Sequence, residues 1–250
     1  LYICHNTTAY YEIISKALPC LRFKDKELRP LIGIEDKFSN LQELKTKNIN
    51  GKRHYITPNG NKYLSITSLL SQLSKVGIQK WRNRVGEVEA NRITTKASRQ
   101  GTSVHSVCEY YIKNEDGYLE NRMPNVVELF QSIIPLLDRI DNVHVIEGAL
   151  YSDELGLAGR TDLIGEFDNE LAVIDYKTSR KKKTWEMCDK YFMQGAFYAH
   201  AYEERTGIPI ENIIIIMAVE NEEPLLWRES KSRWLNPLKE VQYKYMKEFV

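Results

Sequence analysis

The spacing of apolar residues changes partway along this 250-residue chain, and this change restricts the folds available to it. Before about residue 139, apolar residues recur every three or four positions, as on one face of a helix. This spacing predicts helices over residues 66–73, 78–96, 102–113 and 124–139. Apolar residues then alternate or run together, which predicts consecutive strands over residues 143–151, 157–167 and 171–177. A helix (187–205), two strands (213–219 and 225–230) and a final helix from residue 234 complete the pattern. We therefore expect an α/β fold with a mixed central β-sheet flanked by helices.

The sequence divides into two regions of different regularity. Residues 1–50 are weakly periodic, and we predict an N-terminal appendage of unknown role. Residues 51–250 are expected to form the main domain, because a chain of this length can bury one large core. That domain is predicted to begin with a hairpin around residues 58–61, Pro-Asn-Gly-Asn, since Asn and Gly tolerate positive φ.

The composition excludes several classes of protein. Lys and Arg total 35 against 34 acids, so a nucleic-acid partner would have to be held by local basic patches. The four cysteines contain no C-x-x-C pair, which argues against a zinc ribbon, an iron-sulfur cluster or a disulfide framework. No stretch approaches the roughly 18 apolar residues of a membrane span. We expect an intracellular, soluble protein without a membrane partner, in either the cytoplasm or the mitochondrion.

Two aspartates are predicted to lie opposite each other on neighbouring strands. If residues 168–169 form a two-residue hairpin loop, Asp162 on one strand faces Asp175 on the next. Directly opposed Cβ atoms are about 4.5–5.5 Å apart, so both carboxylates could bind one cation. Without a cation they would repel by about 3 kcal/mol at an effective dielectric constant of ~20. Lys177, two residues after Asp175, lies on the same face.

Oxygen ligands of this kind favour Mg²⁺ or Mn²⁺ over zinc. A lysine beside them could position or deprotonate a water molecule, because burial or a nearby metal can lower its pKa toward neutrality. The alternative is a solvent-facing hairpin in which Asp162 pairs with Arg160 and Asp175 with Lys177. Asp175 itself lies at the end of a largely apolar strand. This position argues against that alternative, because a buried acid without a role is costly.

Five segments together carry a family resemblance: GTSVHSVCEYY, VIEGALYSDE, GLAGRTDLIGEF, LAVIDYKTS and QGAFY. In this order they resemble the PD-(D/E)XK nuclease superfamily in its RecB-type branch, and they are similar to mitochondrial genome maintenance exonucleases and related phage exonucleases. The resemblance covers about residues 51–207. Thr161 stands where the superfamily motif has proline.

The resemblance implies roles for residues in all five segments. The metal would be bound by His105, Asp162, Asp175 and the main-chain carbonyl of Tyr176, and Lys177 would prepare the attacking water. It implies further active-site residues, namely Glu147 near metal or water, and Gln194 and Tyr198 orienting the lysine and contacting nucleic acid.

Each of these assignments has a structural alternative. His105 and Glu109 could be a helix-surface pair, and Glu147 an edge-strand glutamate. Gln194 and Tyr198 could belong to an amphipathic core stripe.

Two basic runs flank the predicted site in the sequence and are candidates for contacts with DNA phosphates. They comprise Arg92, Lys96 and Arg99 at helical spacing, and the consecutive residues Arg180, Lys181, Lys182 and Lys183. Solvated charged surfaces are the alternative.

The sequence thus predicts a Mg²⁺- or Mn²⁺-dependent deoxyribonuclease. Family resemblance implies an exonuclease that prefers single-stranded DNA with free ends, leaves 5′-phosphates and works with replication or recombination proteins. The alternatives are a structure-specific or sequence-specific endonuclease, a catalytically silent DNA-binding subunit of a recombination or repair complex, and a hydrolase of small phosphoesters.

Overall fold

A mixed β-sheet organises the part of the chain that the computed structural model describes, residues 43–249. Most of the predicted appendage, residues 1–42, lies outside this range. The first elements are β1 (Lys45–Ile49), β2 (Lys52–Ile56), β3 (Lys62–Ser65), α1 (Ile66–Ser71), α2 (Lys75–Val85), α3 (Glu87–Ile112) and α4 (Pro124–Leu137). The remaining ones are β4 (Ile140–Ser152), β5 (Leu157–Phe167), β6 (Glu170–Ser179), α5 (Asp189–Thr206), β7 (Asn212–Val219), β8 (Leu225–Ser230) and α6 (Lys231–Phe249). Short 3₁₀ turns cover Gln72–Ser74 and Trp185–Cys188. The predicted fold class is confirmed.

The sheet begins earlier than the predicted domain boundary at residue 51. Strand β1 pairs antiparallel with β2, from Lys45 opposite Ile56 to Ile49 opposite Lys52. Its sequence, KTKNI, is exposed along almost its whole length, so it lacks the apolar alternation by which strands are recognised.

The sheet order is β1-β2-β3-β5-β6-β7-β8, with β4 paired to β5 outside this path. Strands β3 and β5 are parallel, as are β6 and β7, and the other pairs are antiparallel. Helices cover both faces, with α5 and α6 on one face and α3 and α4 on the other. Strand β7 contributes side chains to the hydrophobic cores on both faces of the sheet. Ile213 and Ile215 point toward α5, while Ile214 and Ile216 point toward α3 and α4.

Two glycines explain where the helix predictions were wrong. The predicted helix 78–96 is interrupted at Gly86, whose φ of 86° and ψ of 149° end α2 and precede α3. No helix begins at residue 102 as predicted, because α3 runs unbroken through Gly101. There the helix lies against β6, and a Cβ on Gly101 would be 3.5 Å from Thr178 Oγ1. Packing therefore keeps Gly101 helical despite its low helix propensity.

The hairpin between β5 and β6 has the predicted register. Asp168 and Asn169 form its loop with φ values of 53° and 65°, the left-handed conformation that a two-residue type I′ turn requires. Phe167 consequently faces Glu170, and Leu163 faces Ile174. In the described residues, no helix is both long and apolar enough to cross a membrane.

Candidate active site

Strands β5 and β6 separate beyond the Leu163–Ile174 pair, and we call this separation the fork. On the far side of the fork, β5 pairs with β3 at Leu157 and Ala158, while β6 stays paired with β7. Asp162 and Asp175 are the first residues past the last pair on each strand. The fork thus opens a space between the two strands at the predicted acid pair.

Both aspartates lie on the sheet face that α5 covers. Ile164 and Val173 belong to the core on that face, and Asp162 and Asp175 are each two residues from one of them. The carboxylates therefore share a face, as the register predicts.

Three side chains from three elements converge beside the fork. His105 comes from α3, Glu147 from β4 and Asp162 from β5, and each offers a ligand atom within 4.8 Å of the other two. His105 Nδ1 lies 3.4 Å from Asp162 Oδ2. Asp175 is not a member of this triad among the described residues, whereas Glu147, expected to help hold metal or water, is.

Asp175 forms a buried ion pair with Lys177 rather than the solvent-facing pair of the alternative interpretation. The exposed fractions of the two side chains are 2% and 18%. Burial, with a smaller contribution from Asp162, raises the pKa of Asp175 to about 6 despite the attraction of Lys177. Within the described residues, Asp175 Oδ1 is buried without a hydrogen-bond partner.

The pKa of Lys177 is raised, whereas the sequence suggested that burial would lower it. Burial does act to lower this pKa, but the carboxylates of Asp175 and Asp162 outweigh it. The two carboxylates thus favour the charged form of Lys177, which donates hydrogen bonds. A divalent cation bound beside them would act in the opposite direction on this pKa.

Asp162 receives a main-chain hydrogen bond across the fork. Tyr176 N–H donates to Asp162 Oδ2 at 2.9 Å. Burial acts against ionisation of Asp162, yet His105, Lys177 and this N–H together lower its pKa. Because the N–H and C=O of one strand residue point to the same edge, the Tyr176 carbonyl also points toward the fork, where a metal ligand was predicted.

Glu147 has a backbone conformation that is unusual within a strand. Its φ is 49°, in the left-handed region that costs a non-glycine residue about 1–3 kcal/mol. Arg160 donates a hydrogen bond to the Glu147 carbonyl, and its guanidinium is in turn paired with Glu43. Arg160 therefore braces Glu147, instead of pairing with Asp162 as the alternative interpretation had it.

Replacing Arg160 with methionine is expected to weaken Mn²⁺ binding by about tenfold, the lower end of the effect of losing a group that orients a ligand. The conformation of Glu147 would lose its anchor while all three triad side chains remained. Calorimetric titration with Mn²⁺ measures the change. Arg139→Met, which removes an ion pair with Asp168 at the far end of the same hairpin, should bind Mn²⁺ as the wild type does. Equal weakening in both variants would contradict the assigned role.

The two α5 residues that were predicted to orient Lys177, Gln194 and Tyr198, are hydrogen-bonded to each other. Gln194 Nε2 donates to Tyr198 OH at 3.2 Å, and Tyr198 is fully buried. Among the described residues, Lys177 contacts Asp175 and lies 5.1 Å from the ring centroid of Tyr191. Tyr191 thus lies beside the lysine, while the role of Gln194 and Tyr198 in orienting it stays a prediction. The signal was present in the sequence, because Tyr191 precedes Gln194 by three residues and shares its helix face.

The predicted DNA contacts fall into two groups in the structure. Arg92, Lys96 and Arg180 line one cavity between α3 and the loop after β6. The others are dispersed: Arg99 and Lys181 are exposed, Lys182 pairs with Glu222 at 3.2 Å, and Lys183 donates to Tyr191 OH.

Comparison with known proteins agrees with this geometry. Residues 139–225, which include the fork, match the model of the PD-(D/E)XK nuclease superfamily. This part of the chain is therefore similar to the core of PD-(D/E)XK nucleases. Mitochondrial genome maintenance exonuclease 1 of Mus musculus is 26% identical over 131 residues, covering 49% of this chain and 39% of the mouse protein. The Homo sapiens protein of that name is 27% identical over 129 residues, covering 48% and 37%. The matched segment thus spans about two fifths of these relatives.

A solved structure from Eubacterium rectale aligns over 59% of this chain and 65% of that chain, with 12% identity and a TM-score of 0.43.

The donor set beside the fork fits a hard divalent cation. One imidazole and two carboxylates converge in the triad, and oxygen-rich sets of this kind suit Mg²⁺ and Mn²⁺. The buried, unpartnered Asp175 Oδ1 on the same sheet face supplies another oxygen without a protein donor. These observations indicate a site for one divalent ion beside the fork.

Proton competition predicts how metal binding should depend on pH. Burial and then the Asp162 charge raise the pKa of Glu147 to about 7, and burial raises that of Asp175 to about 6. Burial lowers the pKa of His105, but the attraction of Asp162 more than offsets this, so it too is raised. Each group must lose its proton to bind metal, so affinity should rise between about pH 5.5 and pH 8.

Calorimetric titration with Mn²⁺ across this range checks the prediction. The Glu147→Gln variant should bind more weakly and with a shallower pH dependence, because the group whose pKa is near 7 is gone. An affinity independent of pH in the wild type would contradict the prediction.

Proposed function

We propose that this protein is a PD-(D/E)XK nuclease, a metal-dependent deoxyribonuclease that degrades single-stranded DNA from free ends. The proposal is carried by one observation, the His105–Glu147–Asp162 triad beside a buried Asp175–Lys177 pair at the fork. The names of the mouse and human relatives, both mitochondrial genome maintenance exonucleases, support the exonuclease part. Replication or recombination proteins are the partners that we propose for such an activity.

In this mechanism His105, Glu147 and Asp162 would hold Mg²⁺ or Mn²⁺, and Asp175 and the Tyr176 carbonyl would be available as further ligands. The bound ion supplies positive charge for the phosphate and lowers the pKa of water. The chain's own residues then orient the reactants. Lys177, held by Asp175, donates hydrogen bonds to the attacking water or to a phosphate oxygen and offsets the negative charge that develops there.

Burial of the lysine strengthens this role. The exposed fraction of its side chain is 18%, so few water molecules compete for its hydrogen bonds. The Tyr191 ring lies beside the ammonium at 5.1 Å and limits the directions in which it can point. We therefore propose that Lys177 positions the attacking water and stabilises the negative charge that develops on the phosphate.

The test compares four DNA substrates with the wild-type protein in Mg²⁺, in Mn²⁺ and in chelator. They are labelled linear single strands, linear duplexes, single-stranded circles and closed duplex circles. We expect progressive shortening of linear single strands, intact circles, and no reaction in chelator. Cut circles would establish an endonuclease instead. Binding without cleavage of any substrate would establish a silent DNA-binding subunit, and cleavage in chelator would overturn the metal-dependent mechanism.

A further inference from the structure

A cavity of about 160 Å³ lies outside the triad and the fork. Its walls come from the N-terminal half of α3 and from the residues that directly follow β6 and β7. Three of the lining side chains are cationic, Arg92, Lys96 and Arg180. Such a concentration of positive charge is notable in a chain whose net charge is only +1.

The arrangement of polar groups around the cavity is built from contacts distant in the sequence. Gln100, 8% exposed, donates from Nε2 to Glu220 Oε1 at 3.0 Å and thereby ties α3 to the end of β7. Glu220 N–H in turn donates to Ser179 O, next to Arg180. The cavity wall is therefore fixed by β7 and by β6, the strand that carries Asp175 and Lys177.

The two acids nearby neutralise only part of the charge. Glu89 binds Arg92 through two hydrogen bonds of 2.7 Å and also attracts Arg180. Glu220 lines the cavity itself. Three cations against two carboxylates leave a net positive cavity, and no ion pair within the described residues involves Lys96.

The cavity lies near the active site at the end of β6. Arg180 follows Lys177 by three residues, about 10 Å along an extended strand. Lys96 and His105 are nine positions apart on the uninterrupted helix α3, about 14 Å along the helix axis and on opposite sides of the helix. The end of β6 is therefore the shorter path by which a DNA strand at the fork would reach the cavity.

We propose that this cavity binds one phosphate group of the DNA strand, at a fixed distance from the phosphate being cleaved. The proposal rests on the deoxyribonuclease function proposed above. Arg92 and Arg180 provide planar guanidinium donors and Lys96 provides a point charge, a combination suited to phosphate oxygens. The phosphate is either an internal diester or the terminal monoester of a DNA end.

The test measures binding of a dye-labelled oligothymidylate by fluorescence anisotropy, in chelator so that the strand stays intact. The Lys96→Ala/Arg180→Ala variant is compared with the wild type at several salt concentrations. Its control, Lys47→Ala/Lys244→Ala, removes the same charge from exposed positions on β1 and α6. We expect at least about tenfold weaker binding for the cavity variant, with a salt slope lower by about 0.7, the value for one lost phosphate contact. The control should bind as the wild type does.

A Glu220→Gln variant tests whether DNA binding becomes tighter when the cavity becomes more positive. It removes a negative charge from the cavity wall while an amide oxygen can still accept from Gln100. We expect about threefold tighter DNA binding. Thermal unfolding of each variant identifies any loss of folded protein, and the gain expected for Glu220→Gln cannot arise from misfolding.

Oligonucleotides with a 5′-phosphate, a 3′-phosphate or hydroxyl ends distinguish the two sources of phosphate. A preference for one phosphorylated end that disappears in the cavity variant assigns a terminal monoester, and equal binding of all three assigns an internal diester. Cavity variants that bind DNA like the control would overturn the cavity assignment alone, if the wild type binds and cleaves DNA. A wild type that does neither would overturn both proposals.

Discussion

The Asp162→Asn variant is expected to lose about 10³-fold in DNA cleavage and most of the stabilisation that Mn²⁺ gives the wild type. Asp162 lies 3.4 Å from His105 Nδ1 and accepts a hydrogen bond from the Tyr176 N–H, so it connects α3 and β6 at the fork. Asparagine keeps an oxygen for that N–H but removes the charge that attracts a cation. A 10³-fold slower reaction corresponds to the loss of about 4 kcal/mol of the stabilisation that the metal gives to the transition state.

Two measurements separate a metal defect from a folding defect. The cleavage rate on linear single strands reports catalysis, and the shift of the melting temperature with Mn²⁺ reports metal binding. Glu166→Gln, a change on the same strand and face, should leave both unchanged. If Mn²⁺ stabilised Asp162→Asn as much as the wild type, the triad would not be the metal site.

The Lys177→Met variant is expected to cleave DNA 10²- to 10⁴-fold more slowly, on the order of the effect of a positioned catalytic group, while still binding Mn²⁺. Methionine has nearly the same length as lysine and fits the buried space, but it cannot donate a hydrogen bond. Asp175 then loses the partner that lowers its pKa, so in the variant this pKa should rise above about 6. The protein should therefore fold better at mildly acidic pH than at pH 8.

Single-turnover rates and Mn²⁺ titrations measure the two halves of this prediction. Lys177→Arg, which keeps the charge, should retain more activity than Lys177→Met if the lysine acts as a cation. Lys239→Met provides the control, since Lys239 lies on α6 and pairs with Glu154. Equal activities of Lys177→Met and the wild type would remove the lysine from the mechanism.

The β5–β6 hairpin was predictable because a local signal sets its geometry. Asp-Asn between two apolar strands determines a two-residue turn, and the turn determines which residues face each other. The same-face arrangement of Asp162 and Asp175 followed from that register alone. Their separation by the fork did not follow, because it depends on β3 taking the place of β6 beside β5.

Features that depend on tertiary packing were missed or misplaced. Gly86 and Gly101 both suggest a helix end, but only Gly86 has a positive φ, while the contact of Gly101 with β6 keeps it helical. The left-handed conformation of Glu147 and its brace by Arg160 involve strands far apart in sequence. No single-residue propensity encodes either of them.

The turn at Asp168 and Asn169 has a consequence for how this protein tolerates sequence change. It is exposed and six residues from Asp162, about 20 Å along an extended strand. Yet inserting one residue in it would shift the register by one and turn Asp175 and Lys177 toward the opposite helical layer. An insertion at the solvent-exposed tip of this hairpin should therefore be as damaging as a substitution of the acids themselves, although loop tips elsewhere usually accept insertions.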